Sequence, residues 1–116
     1  MSFKDQRRYP RVLTEVRVTC EYGADSFYHY TLNVSQGGIF IRTPKPLDAD
    51  TTIKVEFTLP SLGHTFSIEG KVAWRKEKGD ESGDAGMGIE FTDISDRDSG
   101  LLRQYVLESQ ITRQGY

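Results

Sequence analysis

Ile53-Lys54-Val55-Glu56-Phe57-Thr58-Leu59-Pro60 alternates apolar and polar residues without a break until the proline. Successive side chains of an extended chain point to opposite faces, so Ile53, Val55, Phe57 and Leu59 share one face of a half-buried strand. The next segment repeats the pattern, with Phe66, Ile68, Gly70, Val72 and Trp74 on one face. Upstream, Val12, Thr14, Val16, Val18, Cys20 and Tyr22 alternate with Leu13, Glu15, Arg17, Thr19 and Glu21, which predicts one strand over 12–22. After the turn Gly23-Ala24-Asp25-Ser26, the same period puts Tyr28, Tyr30, Leu32 and Val34 on a common face. Ile39-Phe40-Ile41, stopped by Thr43-Pro44-Lys45-Pro46, and the alternation of Met87, Ile89 and Phe91 bring the total to about six strands. Short strands divided by turn residues predict an all-β antiparallel barrel or sandwich. A closed barrel is favoured because it leaves no open sheet edge.

The period changes near the C-terminus. Ser95 is read as an N-cap with Asp98 as its capping-box partner. Leu101, Leu102, Tyr105, Val106 and Ile111 then recur at helical spacing, so a helix over about 95–112 should lay this stripe on the barrel. The stretch 76–84, rich in Gly, Glu and Asp, reads as a solvated hairpin loop.

A chain of 116 residues is expected to form a single domain. It should bury roughly 65% of its unfolded surface, enough for a core without metal or disulfide support. An apolar fraction of 36%, a charged fraction of 28% and a net charge of −2 describe a soluble globular protein. They argue against a broad nucleic-acid-binding face, so neither DNA nor RNA is expected as a partner. Cys20 is the sole cysteine, which rules out an intrachain disulfide and a cysteine-based zinc site. The first residues carry no apolar stretch of signal-peptide length and no run is long enough to cross a bilayer, so a cytoplasmic location is expected.

No catalytic constellation emerges either. His29 and His64 lack a histidine or cysteine at ligand spacing, Ser35 has no nearby histidine, and Cys20 sits on an apolar strand face. Neither the phosphate-loop nor the dinucleotide glycine pattern occurs. The expectation is no enzyme, no metal and no cofactor.

Charge is unevenly spread. Up to Arg17 there are five basic residues (Lys4, Arg7, Arg8, Arg11, Arg17) against two acidic ones (Asp5, Glu15). Three of them fall in Arg7-Arg8-Tyr9-Pro10-Arg11, where Pro10 biases Tyr9 toward extended backbone. Arg7 and Arg11 would then share a side, with Arg8 pointing elsewhere. Guanidinium groups pair with phosphates and with the O6/N7 edge of guanine. Taken by itself, the cluster is equally a solvated basic tail. Farther along, Asn33-Val34-Ser35-Gln36-Gly37-Gly38 ends one strand and opens the next. Asn33 and Ser35 offer donors and acceptors suited to a base edge or sugar-phosphate. Gly37 and Gly38 are expected to allow positive φ and close approach of backbone amides to an anion. Taken by itself, this stretch is an ordinary turn.

The two stretches together, Arg7-x-x-x-Arg11 and Asn33-x-Ser35-x-x-Gly38, resemble the paired signature of the PilZ domain family, bacterial receptors for cyclic di-GMP. Gly37-Gly38-Ile39-Phe40-Ile41, Pro46-Leu47, Leu59-Pro60, Gly70-Lys71-Val72-Ala73-Trp74 and Gly86-Met87-Gly88-Ile89-Glu90-Phe91 resemble further landmarks in order. The resemblance implies a six-stranded antiparallel β-barrel with a C-terminal helix. It assigns residues 1–11 as a flexible arm and 12–116 as barrel and helix of a stand-alone domain. It implies that Arg7 and Arg11 contact guanine edges and phosphates with Arg8 assisting. Asn33 and Ser35 would bond a guanine and its sugar-phosphate, while Gly37 and Gly38 form the turn. Asn33 stands where many relatives carry Asp, which removes a negative charge near an anionic ligand. Gln6 stands where many carry a further arginine, so one and two bound ligands both remain open. By the same likeness Trp74 lies near the ligand; its place on the Phe66, Ile68, Val72 face equally suits core burial.

The implied function is a receptor whose arm orders on cyclic di-GMP and signals to a downstream protein partner, in bacterial motility or biofilm regulation. Two rivals are a PilZ-like protein adaptor that has lost the nucleotide and a small β-barrel binding single-stranded nucleic acid. The intact arginines argue against the first, and net acidity argues against the second.

Overall fold

The alternating segments fold as seven strands, all paired antiparallel: β1 (Val12–Leu13), β2 (Arg17–Tyr22), β3 (Asp25–Val34), β4 (Gly38–Arg42), β5 (Thr52–Leu59), β6 (His64–Lys76) and β7 (Gly86–Asp93). A helix, α1 (Asp96–Gln114), follows. The structure is a computed structural model that describes residues 12–77 and 85–114, with side chains except at 12, 13, 32 and 110–114. The arginine arm and most of the 76–84 loop lie outside the described residues.

Strands β3, β2, β5, β6, β7 and β4 are neighbours in that order, and β4 pairs back onto β3. The result is the expected closed six-stranded barrel, with β1 as an extra strand on β3. Alternation along β5 is carried out in full: Ile53, Val55, Phe57 and Leu59 are buried and their neighbours exposed. Phe57 faces Phe66 across the β5–β6 ladder with stacked rings 5.2 Å apart. Cys20 is fully buried, and burial pushes its thiol up to about 12. Among the described residues, no helix is long and apolar enough to cross a membrane.

The single strand expected over 12–22 is divided instead. Residues 14–16 leave the ladder, although Thr31 N–H still donates to the Val16 carbonyl at 3.0 Å. The break gives Thr14 another partner, because its Oγ1 hydrogen-bonds the Tyr105 hydroxyl at 3.0 Å. The turn to β3 is tighter than the four residues expected: Gly23-Ala24 alone joins Tyr22 to Asp25. Gly23 takes φ +60, the mirror-image turn that matches strand twist.

β3 corrects the expected facing of its tyrosines. Tyr28 is 61% and Tyr30 47% exposed, while Phe27 packs on the core and Thr31 is fully buried. Arg17 covers the Tyr28 ring with its guanidinium carbon 5.0 Å from the centroid. A bulge between Thr31 and Asn33 then reverses the alternation and returns Val34 to the interior. Partial burial holds the pKa of His29, next to this bulge, below the usual histidine value.

α1 begins at the expected cap, where Ser95 Oγ accepts the Asp98 N–H at 3.1 Å. The Asp98 carboxylate does not complete the capping box. It meets His64 Nε2 at 3.0 Å and ties the helix to the start of β6. Leu102 and Val106 are buried against the barrel, with Leu101 and Tyr105 partly buried beside them. The stripe therefore serves the core, although Leu107 remains 43% exposed.

Two substitutions test these packing arguments by thermal or urea unfolding. Gly100 sits in the first turns of α1 with open space around it, so Gly100→Ala should stabilise by about 0.5–1 kcal/mol. Thr31→Val keeps the shape but removes the hydroxyl within 2.7 Å of the Phe40 carbonyl, and should destabilise by about 1–3 kcal/mol.

Candidate functional site

The β3–β4 turn is built from within by Ser35, which is only 2% exposed. Its backbone N–H donates to the Gly38 carbonyl at 2.9 Å. Its Oγ accepts the N–H groups of Gly37 at 3.2 Å and Gly38 at 3.1 Å, and lies 3.2 Å from the Gly38 carbonyl. The amides expected to face an anion are therefore engaged by the serine hydroxyl. The described glycines with positive φ are Gly23 and Gly63, so Gly38 does not draw on that freedom. Gly38 is needed for another reason: a Cβ there would collide with the Ile89 carbonyl oxygen of β7. The turn is fixed outwardly as well. Phe91 N–H donates to the Gly37 carbonyl at 3.0 Å, and Gln36 Nε2 to Ser99 Oγ of α1 at 3.0 Å.

The strand register brings separated motifs into one row. Leu13 pairs with Asn33, Asn33 with Phe40, Phe40 with Gly88, and Gly88 with Trp74. Paired residues of an antiparallel ladder share a face. Their strand neighbours Val34, Ile39, Ile89 and Val72 are buried in the barrel, so Asn33, Phe40, Gly88 and Trp74 lie on its outer side. Asn33 is half-buried there. Trp74 departs from the Phe66, Ile68, Val72 face because β6 bulges between Val72 and Trp74. It is half-buried and stacks on Phe40 with ring centroids 5.2 Å apart and planes 19° apart.

An adjacent row contributes charge: Tyr30 pairs with Arg42, Arg42 with Gly86, and Gly86 with Lys76. Arg42 Nη2 bonds Glu15 at 2.9 Å. The sequence pattern singled out neither Arg42 nor Phe40 for this surface. Their alternate positions in β4 were the available signal, obscured by the near-continuous burial of that strand.

Arg7, Arg8 and Arg11 lie outside the described residues, but the attachment of their segment does not. Val12, next after Arg11, pairs with Val34, and Leu13 pairs with Asn33. The strand carrying Asn33 and leading into Ser35 is thus the one to which the arginine segment is joined. Among the described residues no three His, Cys, Asp or Glu side chains gather as metal ligands would.

Solved structures with this architecture are numerous at low identity. The chain aligns with the inhibitor of motility MotI/DgrA of Bacillus subtilis at TM-score 0.80 and 21% identity, over 93% of this chain and 53% of that one. It aligns with the PilZ domain of YcgR from Escherichia coli, solved with c-di-GMP, at TM-score 0.72 and 15% identity, over 94% and 95%. For the MrkH–c-di-GMP complex of K. pneumonia the values are 0.76 and 17%, over 93% and 54%. The chain spans about half the length of the MotI and MrkH chains. At such identities the likeness is one of fold. A search of curated proteins finds no match. The family model for the PilZ domain matches residues 5–108, and with the barrel, its extra strand and its C-terminal helix in place, the chain belongs to the PilZ domain family.

Proposed function

We propose that this protein is a cyclic di-GMP receptor, not an enzyme, that signals to a downstream protein. The observation that carries the reading is the β1–β3 ladder, Val12 with Val34 and Leu13 with Asn33. It tethers Arg11 one residue, and Arg7 five residues, from a strand that displays Asn33 on the barrel surface. A fully extended chain would let Arg7 range no more than about 18 Å from that anchor. Family membership supports the reading, as do the c-di-GMP complexes of the similar YcgR and MrkH structures.

In this reading residues 1–11 form the capturing arm and 12–116 the barrel and helix. Arg7 and Arg11 bind guanine edges and phosphates, helped by Arg8. Asn33 reads a base from the outer row, and Trp74 borders the ligand farther along it. Ser35, Gly37 and Gly38 act mainly by holding the turn beside Asn33, because the Ser35 hydroxyl and both glycine amides are already bonded to one another. Like charges in the free arm repel, and a dianionic ligand removes that repulsion, so binding orders the arm and alters the surface a partner meets. The Thr14–Tyr105 hydrogen bond links the root of this arm to α1, giving the helix a share in the change.

Titration calorimetry with cyclic di-GMP tests the function directly. Saturable heat is expected, and a folded protein giving none at high micromolar ligand overturns the receptor reading in favour of a nucleotide-free adaptor. Arg7→Ala or Arg11→Ala should raise Kd about tenfold or more, at roughly 1–3 kcal/mol per contact, with the ligand-free melting temperature unchanged. Ser35→Ala should behave differently. Loss of the turn's brace lowers ligand-free stability by about 1 kcal/mol and weakens binding together with it.

A further inference from the structure

Trp74 is the only tryptophan in the chain, and its ring is held outside the barrel core. The bulge after Val72 sends it over β7, where Phe40 of β4 leans in from the other side to stack on it. β7 offers glycines beneath both rings. A Cβ at Gly88 would overlap the indole Nε1 and Cε2, and one at Gly86 would overlap the Phe40 ring. The stack is asymmetric: Phe40 is only 6% exposed, whereas Trp74 keeps part of its surface in solvent. Phe40 also pairs in register with Asn33, so the backing ring lies between the base-reading amide and the indole. A part-exposed aromatic with a rigid backing is suited to stacking on the π-face of a base.

We propose that Phe40 and Gly88 are positioning residues that set the plane of the Trp74 indole, making this part-exposed ring a stacking surface for a purine of the bound nucleotide. The inference rests on the receptor reading above. Phe40 and Gly88 act through Trp74. Gly88 leaves the room in which the indole lies, and Phe40 stops it from turning. A ring free to turn would have to be ordered by the ligand, at a cost in affinity.

The full chain tests this by titrating cyclic di-GMP with calorimetry and Trp74 emission in parallel. Emission should change and saturate at the same ligand concentration as the heat. Phe40→Leu, which keeps an apolar side chain but removes the ring, should raise Kd about five- to tenfold. It should also increase acrylamide quenching of Trp74 in the ligand-free protein. Phe40→Tyr should restore both values, which a merely space-filling role would not require. Gly88→Ala should shift ligand-free emission and weaken binding. If it fails to fold, the Phe40 variants and the wild-type emission still decide. Heat without any emission change, or Phe40→Leu binding as wild type, overturns this inference and leaves the receptor reading intact. No heat with the wild-type protein overturns the receptor reading itself, and this inference with it.

Discussion

The barrel closes through one irregular point on β3, the bulge between Thr31 and Asn33. Thr31 is fully buried there, its hydroxyl 2.7 Å from the Phe40 carbonyl and 2.9 Å from its own chain's Asn33 carbonyl. A polar group without such partners would be costly to bury, and a strand without the extra residue would keep its alternation. With it, β3 changes partners and faces together. Its first half pairs with β2; its second half pairs with β4 on one side and β1 on the other. The same step turns Val34 inward and Asn33 outward, so closure and exposure of the candidate site share one cause.

A second register break, between Val72 and Trp74 on β6, does similar work on the far side of the site. It removes a large aromatic from the core and delivers it to the outer surface above glycines of β7. Between the two bulges, β4 and β7 keep a regular ladder and supply a stiff floor. The turn at its edge is held by Ser35 from inside and by Phe91 and Ser99 from outside. The candidate site is thus built on regular strands and a braced turn on its barrel side.

The helix belongs to the same assembly. It adds Leu102 to the core, takes His64 through Asp98, and reaches Thr14 between β1 and β2 through Tyr105. These contacts come from the first turn and the middle of α1, so the start of β6 and the break between β1 and β2 are joined by one helix. The β3–β4 turn meets the same end of the helix, where Gln36 Nε2 donates to Ser99 Oγ beside Asp98.

Much of this architecture was written in local pattern. Ile53 to Leu59 alternates so regularly that only a half-buried strand accommodates it, and the 3.6-residue stripe from Leu101 to Val106 specifies a packed helix. The candidate site was legible as residue types: arginines before a strand, then Asn33, Ser35 and Gly38 at a turn, in an order that resembles a known family. What alternation could not reveal were its own interruptions. The facing of Tyr28 and Tyr30, the division of 12–22 and the escape of Trp74 from the core all follow from bulges or breaks. These are chosen by cross-strand partners distant in sequence. Gly38 and Gly88 show the same division. Both are visible as glycines, yet the need for them arises only when Ile89 and Trp74 are folded against them. Period and residue chemistry act between near neighbours and so determined the strands, the helix and the site's ingredients. Register acts between strands, and only the closed barrel could decide which of those ingredients meet.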